Sequence, residues 1–249
     1  ELEKKNIELA RISAEKTEFV SLASHQIRGP LTSIKGYSSM LLEGDFGKIP
    51  KQAQEAAKVM MDSCNTLTRV VNDYLDITRI EQGRMKYDFT DIDIRGLVNT
   101  CIQELMPSVQ RAGLECVVNL PEPKKDIAEE WWHIKADGPK LKQVILNLID
   151  NSIKYTPKGS INIKLSETAD KQIRFEISDT GVGIAPTTMP KLFAKFSRAD
   201  NASETNILGT GLGLYVAKMM VEAFEGKIWA ESKGEGKGST FIVELKEKR

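Results

Sequence analysis

Apolar residues recur at helical spacing through the first part of the chain. Residues 1–16 are charged and helix-favouring, with Leu2, Leu9 and Ile12 as sparse apolar anchors, and read as a short coiled-coil feed. Val20, Ala23, Ile27, Ile34 and Leu41 then fall on the a and d positions of one heptad register. That register puts His25 on f, the outermost position, so its imidazole is expected to face solvent. Pro30, inside the same pattern, frees the carbonyl of Gln26 and predicts a local bend. Gly44-Asp45-Phe46-Gly47 with Pro50 breaks the helix. A second helix is expected over about 51–82, where Ala53, Ala56, Met60, Leu67, Val70, Tyr74 and Ile77 share a register and Ser63 is its polar member. Two helices with one apolar stripe each cannot bury it alone. A dimer forming a four-helix bundle is the natural solution, with a hairpin packed on the following domain as the alternative.

Beyond Gly83 and the stretch Tyr87-Asp88-Phe89-Thr90-Asp91-Ile92 the pattern changes, and helices and strands interleave. Helical patterns run over 95–112, 138–155 and 211–224, and strand patterns over 115–120, 160–166, 172–179, 227–231 and 240–245. This predicts an α/β sandwich, a mixed sheet with helices on one face. The whole is an α+β chain of two domains: an incoming coiled-coil helix over 1–16, a helical hairpin over 17–84 and the sandwich over 85–249. Between 186 and 208 periodicity gives way to Pro, Thr, Ser, Asn and Asp, and a loop that long in a compact domain is usually a functional lid.

Composition narrows the partners. The 35 basic and 35 acidic residues cancel, which argues against nucleic acid as the main ligand. Cys64, Cys101 and Cys116 are too few and too scattered for a disulfide framework or a zinc site, so a reducing, cytoplasmic setting is expected. No run of about 18 apolar residues predicts a membrane segment or signal peptide. The chain opens in the middle of a helical pattern, as expected for a piece of something longer.

Three stretches of the second domain carry chemistry. Asn147, Asn151 and Lys154 share one helix face by their 4- and 3-residue steps. Amide oxygens suit Mg²⁺, which keeps waters and substrate phosphates for the rest of its octahedron, and Lys154 adds a point charge for phosphate. Asp179-Thr180-Gly181-Val182-Gly183 places a carboxylate at a strand end beside glycines that permit close ligand approach. Gly209-Thr210-Gly211-Leu212-Gly213-Leu214 opens a helix, whose N-terminus and glycine backbone can wrap phosphate. Singly each signal is weak, and a lone exposed helical histidine is usually a solubility residue. In this order, with a lid between the second and third, they are far more specific.

Together these residues resemble the catalytic core of a sensor histidine kinase, a phosphoacceptor and dimerisation hairpin followed by a Bergerat-type ATP-binding domain. Ser24-His25-Gln26-Ile27-Arg28-Gly29-Pro30-Leu31 resembles the family's H box, and 147–156 its N box. Asp179 to Gly183 is similar to the first glycine box, Leu192 to Phe196 to the F box, and Gly209 to Gly213 to the second glycine box. Gly238-Ser239-Thr240-Phe241 matches the closing strand signature. The resemblance implies that His25 is the phosphoacceptor and that ATP and Mg²⁺ are the cofactors. It places Asn151 on the metal, Asn147 on metal or phosphate and Lys154 on phosphate, with Tyr155 packed on the nucleotide. Asp179 would accept the adenine amino group, and Thr240 would reach adenine through water. Gly181, Gly183, Gly209, Gly211, Gly213 and Leu214 would line the nucleotide. Phe193 and Phe196 would anchor the lid, and Lys195 or Arg198 would approach the γ-phosphate. The implied partners are a second copy in a homodimer, a response-regulator receiver domain and an upstream sensor, the chain being cytoplasmic or the cytoplasmic part of a membrane-bound sensor.

Two positions depart from the family's pattern. Most relatives follow the histidine with Glu or Asp, which accepts the second ring N–H. Gln26 can orient the ring but supplies neither charge nor a base. This predicts slow autophosphorylation. Relatives that dephosphorylate their partner often carry Thr or Asn one turn beyond the histidine, where this chain has Gly29, so weak phosphatase activity is expected. A weak pseudokinase scaffold is the second reading. A water-activating ATPase of the same fold is the third, disfavoured because Gln143 stands where its carboxylate base would sit.

Overall fold

Helix α1 (Leu2–Glu43) continues without interruption through Pro30. The computed structural model describes residues 2–121, 132–197 and 211–247, with side chains from 22 onward except that of residue 25. Pro30 offers no N–H to the carbonyl of Gln26, yet helical geometry persists on both sides, so the proline does not end the element. Thr32 and Ser33 back-bond the carbonyls of Arg28 and Gly29 at 2.9 and 3.3 Å, an arrangement that favours bending over breaking. The helix ends where Gly44 takes a left-handed φ of 88°, and the carbonyl of Met40 accepts the N–H groups of both Gly44 and Asp45 at 3.1 Å. Helix α2 (Lys51–Glu81) then returns against α1.

The chain divides into two compact units, Glu1–Met85 and Lys86–Arg249. In the first, the buried residues are Ser24, Leu31 and Ser38 on α1 and Ala57, Cys64, Asp73, Asp76 and Ile77 on α2. Of these only Ile77 belongs to the register read from the sequence. Of that predicted register, Ile27, Ile34, Met60 and Leu67 remain 43–49% exposed. An antiparallel pair can turn only one row of each helix towards its neighbour. The second apolar row is left over.

In the second unit a five-stranded sheet has the order β2-β4-β5-β7-β6, from β2 (Glu115–Asn119), β4 (Ser160–Glu167), β5 (Gln172–Asp179), β7 (Ser239–Lys246) and β6 (Lys227–Glu231). β2 and β4 are parallel and the other pairs antiparallel, so the sheet is mixed. Helices α3 (Ile94–Arg111), α4 (Gly138–Lys154) and α5 (Gly213–Ala223) pack side by side on it. Alternation on the central strands explains why they lie on one face. Ile161, Ile163 and Leu165 of β4 and Ile173, Phe175 and Ile177 of β5 are buried. Each such side chain contributes about 1.5–3 kcal/mol. The intervening residues carry ion pairs instead, Lys164 with Glu176 at 3.2 Å and Arg174 with Glu244 at 2.6 Å.

The sequence pattern gives no sign of a second, two-stranded sheet, in which β1 (Thr90–Asp93) runs antiparallel to β3 (His133–Ala136). It positions α4. Asp137, directly after β3, accepts the N–H of Lys140 at 3.1 Å as the helix N-cap and that of Asp88 at 3.0 Å.

Candidate nucleotide site

Helix α4 turns Leu141, Val144, Ile145, Leu148 and Ile149 to the core, which leaves Asn147, Asn151 and Lys154 half-buried on the other side. The Asn147 amide lies against the first residue of α5. A Cβ on Gly213 would stand 2.5 Å from its Oδ1 and 2.9 Å from its Nδ2. A side chain there would have to displace the Asn147 amide. The Asn147 Nδ2 is buried and has no hydrogen-bond partner among the described residues, which leaves a desolvated donor to be satisfied. An anionic oxygen at the start of α5 would supply the missing acceptor. Lys154 is paired with Asp150 at 2.5 Å, one turn earlier, a partner that the sequence pattern did not single out.

Asp179 ends β5 facing the helices and is buried. Its Oδ1 accepts the N–H groups of Gly181 (2.9 Å) and Ser239 (3.2 Å), and its Oδ2 accepts the hydroxyl of Ser239 at 2.5 Å. Burial pushes its carboxyl above the ordinary carboxylate range, while the hydrogen bonds from Ser239 and Gly181 pull it back. Gly181 is forced by space, because a Cβ would meet the carbonyl oxygen of Tyr155 at 2.0 Å. That carbonyl also accepts the N–H of Val182 at 3.0 Å. The end of α4 and the segment after β5 are thereby locked together.

Thr240 is not brought to Asp179. The β5–β7 register pairs Asp179 with Ser239 and Ser178 with Thr240, and neighbouring residues on a strand face opposite ways. Thr240 lies 2.9 Å from Ser178 on the far face. The hydroxyl beside Asp179 is that of Ser239. The α5 helix begins at Gly213, not Gly211, because Gly211 takes a left-handed φ of 68° beneath the backbone of Phe196 and Ser197. Leu214 is half-buried on the first turn.

In the segment expected to form the lid, Phe193 is half-buried, while Phe196 has a left-handed φ of 57° and is 65% exposed. Lys195 places its Nζ 5.3 Å from the ring centroid of Tyr215 on α5. Arg198 and Gly209 lie outside the described residues, as does the side chain of His25. The backbone of His25 is helical, with Gln26, Gly29 and Pro30 all exposed, and a Cβ on Gly29 would meet nothing within 4 Å.

Two protein families match this arrangement. Residues 15–83 match the His Kinase A (phospho-acceptor) domain, and residues 136–249 match the histidine kinase-, DNA gyrase B- and HSP90-like ATPase. The chain belongs to the histidine kinases. This histidine kinase core is 33% identical to the circadian input-output histidine kinase CikA of Synechococcus elongatus, over 94% of this chain and 30% of that protein. It is 32% identical to the sensor protein GacS of Pseudomonas syringae pv. syringae, over 98% of this chain and 26% of that one. Among solved structures, full-length ShkA in complex with AMPPNP is similar with a TM-score of 0.69 at 25% identity, over 92% of this chain and 45% of that chain. The chain thus spans a third or less of the curated relatives it matches.

Proposed function

We propose that this histidine kinase core transfers the γ-phosphoryl group of ATP to His25 and passes it to an aspartate of a response-regulator receiver domain. The observation that carries the reading is the presence, in one chain, of a phosphoacceptor hairpin that includes His25 and an ATPase fold whose buried Asn147 amide donor has no partner among the described residues. The protein acts as a homodimer, with Ile27, Ile34, Met60 and Leu67 closing a four-helix bundle. The α1 helix takes its input from an upstream sensor. No helix among the described residues is long and apolar enough to cross a membrane, and a cytoplasmic setting is part of the proposal.

Each residue has a physical task. Asp179 accepts the adenine amino group, and Ser239 fixes its carboxylate. Asn147 offers its Nδ2 to a phosphate oxygen, and Lys154 turns from Asp150 to phosphate. The amide oxygens of Asn151 and Asn147 would hold Mg²⁺, which would supply charge neutralisation at the phosphates. A free imidazole has a reference pKa of about 6.5 and is largely neutral at pH 7, so this residue type can offer a nucleophilic nitrogen. That nitrogen forms the new bond to phosphorus as the bond to the β–γ bridging oxygen breaks, and ADP leaves. Such transfers depend on positioning and charge stabilisation more than on covalent chemistry. Gln26 accepts the second ring N–H without taking its proton, which makes this step slow. Gly29 offers no group to orient water, which makes phosphatase activity weak.

A receiver domain tests the sequence of events. Chain labelled from γ-labelled ATP should lose label to an added receiver, and the label should persist there when ADP is supplied. Failure to transfer overturns the second step, and rapid release of phosphate overturns the assignment to Gly29.

A further inference from the structure

The turn between β6 and β7 is built around one hydroxyl. Ser232 Oγ donates to the carbonyl of Gly238 at 2.7 Å, with that of Gly234 a weaker second acceptor at 3.3 Å. It accepts the N–H groups of Ile184 at 3.0 Å and Gly234 at 3.3 Å. A serine hydroxyl has one proton and two acceptor positions, so this one is fully used. The bonds with Gly234 and Gly238 fold the turn onto itself. The bond from Ile184 reaches 48 residues back in sequence, to the segment that follows Asp179.

Backbone bonds lay that segment along the turn. Gly236 donates to the carbonyl of Val182 at 2.7 Å, and Gly238 to that of Gly181 at 3.2 Å. The approach is close enough that a Cβ on Gly183 would stand 2.1 Å from the carbonyl oxygen of Gly234. One on Gly238 would stand 2.0 Å from that of Asp179. Ser239, which holds both Asp179 oxygens, directly follows Gly238. Ser232 is therefore tied to both sides of the carboxylate, at Ile184 beyond it in sequence and at Gly238 beside its serine partner.

We infer that Ser232 is a positioning residue for the base-binding end of the nucleotide site, an inference that rests on the adenine-nucleotide reading above. Its hydroxyl sets the spacing between segment 181–184 and the Asp179–Ser239 pair and touches no ligand. Without it, the Ile184 N–H loses its acceptor and the Gly238 carbonyl a donor, and the Gly236–Val182 and Gly238–Gly181 bonds alone set the spacing beside Asp179. Asn147, Asn151 and Gly213 belong to α4 and α5 and are held by other contacts. The loss should fall on the nucleoside and spare the phosphates.

Calorimetric titration of the full chain tests this. Ser232→Ala should weaken ADP by about tenfold, the scale set by losing the net contribution of one or two hydrogen bonds, and weaken adenosine by the same factor. Competition by magnesium tripolyphosphate should stay at the wild-type level, which general destabilisation of the domain would not permit. Ser232→Thr, which restores the hydroxyl, should recover ADP binding, and Ser232→Val, which has the same shape without it, should not. Wild-type ADP affinity in Ser232→Ala overturns the inference, as does equal weakening of adenosine and tripolyphosphate or a Thr variant no better than Val. If the wild type itself binds no ADP, the nucleotide reading falls and this inference with it.

Discussion

Asp179 is the residue where stability and function oppose each other. Burial raises its pKa above the ordinary carboxylate value, and the folded protein therefore holds its proton more tightly than the unfolded chain does. That contribution to stability is present below the unfolded-state pKa and is lost as pH rises through the folded-state value. Asp179→Asn keeps the shape and removes the charge. It should withstand more denaturant than wild type at pH 7, with the gap narrowing on acidification. A wild type that is the more stable at pH 7 would show the opposite balance. The same variant should bind ADP at least about tenfold more weakly, because a hydrogen bond to a charged acceptor contributes about 1.5–3 kcal/mol. Gln26 is the second residue with a sharp expectation. Gln26→Glu supplies the missing base and should raise the autophosphorylation rate by about tenfold or more. An unchanged or lower rate contradicts the role assigned to Gln26.

At the scale of elements, the helical hairpin has two apolar rows and uses one. Leu31, Ala57, Cys64 and Ile77 are buried, while Ile27, Ile34, Met60 and Leu67 stay exposed. A charge in the second row should therefore break association and leave the hairpin folded. The double variant Ile34→Asp, Leu67→Asp is expected to elute as a monomer by light scattering with its helical circular dichroism intact. A wild type already monomeric, or a variant still dimeric, would refute the bundle. The heptad pattern made the long helices legible, and period-two alternation did the same for β4 and β5. The β1–β3 ribbon was not legible, because Thr90-Asp91-Ile92-Asp93 and His133-Ile134-Lys135-Ala136 are too short to display a period. The start of α5 was misplaced because Gly211, in the middle of the glycine pattern, adopts the left-handed conformation outside the helix.

For the whole molecule, residue type and spacing led to the nucleotide site. Asn147, Asp179 and the glycines at 181, 183, 211 and 213 were candidates on local pattern, and backbone clashes of a Cβ at 181 and 183 give the reason for glycine at those two. Ser239 and Ser232 could not be. Which of two adjacent residues shares a face with Asp179 is decided by the β5–β7 register, and closure of the 232–238 turn on segment 181–184 is a tertiary event. The most direct test of the whole account is where the γ-phosphate goes. Wild type and His25→Ala should be incubated with γ-labelled ATP and Mg²⁺, then treated with acid or alkali. Wild type should carry an acid-labile, alkali-stable label that is absent from the variant. Label retained by His25→Ala, or an acid-stable label on wild type, would contradict the proposed transfer to His25.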